Sequence, residues 1–83
     1  MQLKKMNNKV ALNKCENHHS LIKRNYLMEE SEVRVIKVEP RSTSVVDVFE
    51  AFVICEWLDP KDNNIKIKNY ELDAFLKEAK ACK

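Results

Sequence analysis

The residues best suited to chemistry stand together early in the chain, in Cys15-Glu-Asn-His18-His19. A Cys-x-x-His pair puts a thiolate and an imidazole within reach of one ion, and tetrahedral zinc would take two further ligands, with Cys55 and Cys82 as the other thiols. A second Cys/His pair at short spacing is missing, and Cys55 lies in an apolar run where free cysteine acts as a small hydrophobe. Both histidines are therefore expected in a polar loop, with no metal and no cofactor. The same residues also suggest a thiol nucleophile with a histidine base. Lys14, Lys23 and Arg24 would lower a nearby thiol pKa, but nothing in the sequence supplies a third group to orient the base. Glu50 and Glu56 alternate onto one strand face yet lie about 20 Å apart by strand rise, too far for paired-carboxylate catalysis. The chain is not expected to be an enzyme.

Composition narrows the field further. None of the 83 residues is glycine, so phosphate-cradling loops, dinucleotide fingerprints and nucleophile elbows are excluded in recognisable form. Left-handed turn positions should then fall to the eight asparagines, Asn63 and Asn64 among them. The net charge of +2 hides an asymmetry. Residues 1–28 carry six bases against one acid, residues 29–59 three bases against eight acids, and residues 60–83 six bases against four acids. Lys14, Lys23, Arg24 and Tyr26, joined by Lys66 and Lys68, would make a basic groove with an aromatic platform, as small nucleic-acid-binding barrels use. Against that, only three arginines are present and Glu29-Glu-Ser-Glu32 would repel phosphate.

Three cysteines cannot all pair within one chain, and a reducing, cytoplasmic setting fits them. The N-terminus lacks an apolar leader, and the longest apolar run, 45–58, is interrupted by Asp47, Glu50 and Glu56 and is shorter than the ~18 residues of a spanning helix. No membrane association is expected.

The elements that must position these side chains are clearest in the C-terminal half. Phe49 to Leu58 is apolar and β-branched, with Phe49, Ala51, Val53, Cys55 and Trp57 on one face. A helical stripe through the same residues, opened by the Ser44-x-x-Asp47 spacing, competes with it, and the strand is preferred because a polar turn, 59–64, leads into the alternation Ile65-Lys-Ile-Lys68. Leu72, Phe75, Leu76 and Ala79 keep the spacing of a buried helical face, so a helix is predicted over 71–81, with Asn69 as its N-cap and Asp73 and Lys77 as an i, i+4 pair. Upstream, Glu32 to Val38 reads as a strand with Val33, Val35 and Lys37 on one face and Ile36 and Val38 on the other, ended by Pro40. Val10, Leu12 and Lys14 alternate, suggesting a first strand over 9–15 after a flexible lead-in at 1–8. Residues 16–31 read equally as a short helix or a loop. The expectation is one domain over 9–83, mainly β (α+β), a small SH3-like barrel or curved antiparallel sheet with a C-terminal helix.

Cys55-Glu-Trp57-Leu-Asp59, the polar turn, the alternating strand and Leu72-Asp-Ala-Phe-Leu76 resemble the small bacterial YodC-type proteins. Those chains look like an SH3-type barrel with a Cys-x-Trp-Phe-Asp strand and a short C-terminal helix. Here Leu58 stands where the family usually has phenylalanine, and residues 16–31 replace its glycine-rich stretch. The resemblance covers about residues 32–79 and implies architecture alone, since the family has no established activity.

Phe52, Ile54 and Tyr70, with the charged loop 16–31, are the expected partner-binding surface of a non-enzymatic interaction module. Its partner is expected to be a protein, and homo-oligomers are compatible with an exposed apolar sheet face. The lysine- and asparagine-rich, glycine-free composition points to a low-GC bacterium or its phage, where an inhibitor of a host protein is one form such a module takes. The alternative is nucleic-acid binding through Lys14, Lys23, Arg24, Tyr26, Lys66 and Lys68.

Overall fold

Apolar alternation and the polar turn fold as the sequence predicts. In the structure, a computed structural model describing residues 2–43 and 48–82 with side chains from residue 9 onward, β3 (Phe49–Asp59) and β4 (Asn64–Glu71) form an antiparallel hairpin. Its loop closes on Asp59, whose carbonyl accepts the Asn63 N–H at 2.7 Å and whose carboxylate accepts the Lys61 N–H at 2.9 Å. Two further strands precede it, β1 (Asn25–Met28) and β2 (Ser31–Ser42), making a four-strand meander. A two-residue strand, β5 (Lys80–Ala81), returns to β1, so the order is β4-β3-β2-β1-β5. On a flat sheet β4 and β5 would stand about 19 Å apart. The helix between them, α2 (Leu72–Glu78), is seven residues long, and such a helix spans about 10 Å. The link suffices because the sheet curves and draws its edges together. It stays open, with no ladder between β4 and β5 among the described residues, so of the two expected forms the curved sheet is the one adopted.

The core lies on the concave side. Ala51, Val53 and Cys55 of β3 meet Val33, Val35 and Val38 of β2 and Met28 of β1, beneath Leu72 and Phe75 of α2. Phe75 is the keystone, edge-on to Tyr26 at 5.3 Å and tilted against Tyr70 at 5.9 Å between ring centroids. The expected face assignment of β2 needs correction. A bulge between Val35 and Lys37 inserts one residue, so Val38 joins Val33 and Val35 in the core and Lys37 turns to solvent. Nor does Pro40 end the strand. It pairs with Ala51 beyond the reach of β1, where the missing N–H faces an unpaired edge.

The N-terminal strand expected over 9–15 is instead part of a helix, α1 (Gln2–Glu16), which also takes in residues 2–8 of the expected lead-in. From residue 9 onward its buried residues are Ala11 and Cys15, one turn apart, while Val10 and Leu12 are exposed. Residues 17–31 hold a short 3₁₀ turn (His19–Leu21), then β1 and its turn. Helix α2 starts at Leu72 with Glu71 as its uncapped N-cap, not Asn69, and stops at Glu78 because Ala79 is extended and leads into β5. Asp73 bonds Lys14 of α1 at 3.1 Å instead of Lys77, tying the two helices together. Among the described residues, left-handed backbone falls on Lys23, Glu29 and Glu30 as well as Asn63, so the asparagine rule holds at one of these four positions. The Ser44-x-x-Asp47 spacing lies outside the described residues. No helix among them is long and apolar enough to cross a membrane.

Candidate functional site

Cross-strand partners share a face of the sheet, and that rule separates the three residues expected to form one surface. Val53 pairs with Tyr70, placing Tyr70 on the core side, whereas Phe52 pairs with Glu71 and Ile54 with Asn69 on the outer side. Tyr70 packs on Phe75 with its hydroxyl buried and without a hydrogen-bond partner. Burial, then the charges of Glu29 and Cys55, push its pKa up. Phe52 is half-buried, and Ile54 is only 4 % exposed despite facing outward. The large apolar side chains that the outer face offers lie further along the hairpin: Leu58 at 54 %, Ile65 at 66 % and Ile67 at 57 % exposed. Leu58 and Ile65 are directly paired, and Ile67 is two residues on, opposite Glu56. This cluster is not among the residues that the sequence singles out, because the longest apolar run lies in the middle of β3. Counting back from the four-residue loop would have placed Leu58 opposite Ile65.

Beside this cluster the sheet parts. The β2–β3 ladder ends at Arg34–Glu56, beyond which β2 continues on β1 and β3 on β4. The opening is a cleft of about 540 Å³ walled by Glu30, Glu32 and Arg34 on one side and Glu56, Trp57 and Leu58 on the other. Trp57 is held by Lys68, whose Nζ sits 4.1 Å from the ring centroid, a cation–π contact. The hairpin end is clamped by Lys66, whose Nζ reaches Asp59 at 2.6 Å and Asp62 at 2.9 Å. The hydrogen bond from Lys66, then the Lys61 N–H, holds the Asp59 carboxyl below its ordinary value, and the same carboxylates raise Lys66.

The six basic and aromatic residues considered for nucleic acid do not form one groove. Lys23, Arg24 and Tyr26 line an open groove with Arg34 beside β1 and β5. Lys66 and Lys68 stand on β4, at the opposite edge and engaged as described, and Lys14 bridges to Asp73. The Cys15, His18 and His19 cluster is likewise divided. Cys15 faces inward from α1, where burial raises its thiol pKa against a backbone hydrogen bond at Phe52. His18 Nδ1 lies 2.8 Å from the Lys14 carbonyl oxygen, and His19 is exposed on the next turn. Cys55 is buried and pushed up to about 11 by desolvation, and Cys82 is exposed. Among the described residues no three His, Cys, Asp or Glu side chains gather where a metal ion would bind.

No protein-family model, no characterised protein and no solved structure matches this chain.

Proposed function

We propose that this protein is a non-enzymatic module that binds another protein through the outer face of the β3–β4 hairpin. The observation that carries the reading is the trio Leu58, Ile65 and Ile67, three large aliphatic side chains more than half exposed at neighbouring positions. Single exposed hydrophobes are ordinary, but a contiguous exposed group at one end of a sheet face favours association. β4 is also an edge strand, which offers its backbone to a partner. The test is capture from nuclease-treated cell lysate with wild-type protein and with the Ile65→Glu/Ile67→Glu variant. A protein retained by the wild type and lost by the folded variant is the expected result. Equal retention by both would remove the assignment.

A second reading is favoured by one observation, the gathering of Lys23, Arg24, Arg34 and Tyr26 around the groove beside β1 and β5. It predicts nucleic-acid binding that weakens steeply with salt. Binding that stays flat between low and moderate salt rules it out.

A further inference from the structure

We infer that the cleft between the ends of β2 and β3 receives an extended, basic segment of the partner, an inference that rests on the binding-module reading. Glu29 and Glu30 form a two-residue hairpin turn, both at positive φ (50° and 67°), which makes Met28 and Ser31 a hydrogen-bonded pair. Alternation along the ladder then turns the N–H and C=O of Glu32 and Arg34 away from β1, toward β3. Arg34 meets Glu56 at the last ladder position, and Glu32 lies beyond it. The same parity on β3 turns the backbone of Leu58 into the opening. Both walls thus present strand-edge donors and acceptors outside the β2–β3 ladder, the feature that an extended peptide recognises.

The rim of the cleft is acidic. Glu30, Glu32 and Glu56 line the cleft against the single guanidinium of Arg34. Asn25 donates to the Glu32 carboxylate at 2.8 Å, which fixes that group at the rim. Alternating lysine or arginine side chains would meet these carboxylates, and an acidic segment would be repelled. The cleft is also continuous with the apolar cluster. Leu58 and Ile65 line the cleft and also belong to the exposed aliphatic cluster, so one segment leaving the cleft runs directly onto that surface.

A displayed library of random dodecapeptides, selected on the wild-type protein, tests this, with bound peptides mapped by amide shifts in ¹⁵N-labelled protein. Enriched peptides should carry net positive charge with apolar residues between the basic ones. They should shift the amides of Glu32 to Arg34 and Glu56 to Leu58. They should bind the Glu32→Gln/Glu56→Gln variant roughly tenfold or more weakly, the loss expected for charge-assisted hydrogen bonds. The spectrum of that variant reports its fold directly. Neutral or acidic peptides that shift the cleft amides would overturn the basic preference while leaving the binding module standing. Basic peptides that shift only residues outside the cleft, or no enrichment, would overturn the cleft assignment. The module itself is judged independently by capture with the Ile65→Glu/Ile67→Glu variant.

Discussion

The two faces of the β3–β4 hairpin arise from one alternation and end in opposite environments. On the concave side Val53 and Cys55 are fully buried under Phe75 and Leu72. On the convex side Leu58, Ile65 and Ile67, larger than either, remain mostly exposed. Apolar content in a short strand therefore does not identify the core; the helix that covers one face does. The concave residues build the core, and the exposed ones are those that the proposed function assigns to association.

The sharpest break between the faces is expected from truncation. Phe75→Ala, which removes the ring that joins Tyr26 to Tyr70, should cost about 3–5 kcal/mol in urea unfolding. Ile67→Ala on the open face should change stability by less than about 0.5 kcal/mol. Similar losses from both would end the comparison. The next effect concerns the turn beside the cleft, where Glu29 and Glu30 occupy left-handed backbone that asparagine and glycine adopt more readily. Replacing the pair, Glu29→Asn with Glu30→Gly, should raise stability by about 1–2 kcal/mol. A loss would show that these side chains stabilise the fold rather than the cleft.

Smaller still is Tyr70→Phe, which removes a buried hydroxyl that has no partner and should leave stability unchanged or higher by up to about 1 kcal/mol. A loss of that size would reveal a bond to the hydroxyl. The last effect is confined to acid. The Asp59 carboxyl is held below its ordinary 3.8, so its stabilising share is present above that pH and is lost as pH falls through the lower folded value. Lys66 is raised, so its share is present below 10.5 and is lost only as pH rises through the higher folded value. Asp59→Asn should therefore flatten the acid limb of a stability–pH curve measured by thermal unfolding. An unaltered limb would mean that the Lys66 clamp does not hold in solution.

How much of this was legible depends on where the signal lay. The hairpin and α2 could be read because β-branched alternation, a polar turn and the Leu72–Phe75–Leu76 spacing are long and mutually consistent. Helix α1 could not, because the buried residues of its part from residue 9 onward are Ala11 and Cys15, too small to write an apolar stripe, while exposed Val10 and Leu12 mimic a strand. β1 was hidden by a turn built from glutamates, without the asparagine or glycine that announces one. The bulge after Val35 leaves no local mark, and it moved Lys37 and Val38 to opposite sides from those expected. The exposed cluster of Leu58, Ile65 and Ile67 is not legible from composition, because faces follow from register and register is set by the strand pairing.

The central claim is that the open face binds while the covered face folds. The most direct measurement compares the Ile65→Glu/Ile67→Glu variant with the wild type, recording urea unfolding and partner capture from nuclease-treated lysate on the same preparations. Unchanged unfolding with capture abolished is the predicted result. Unfolding shifted to lower urea, or capture undiminished in a folded variant, would contradict the account.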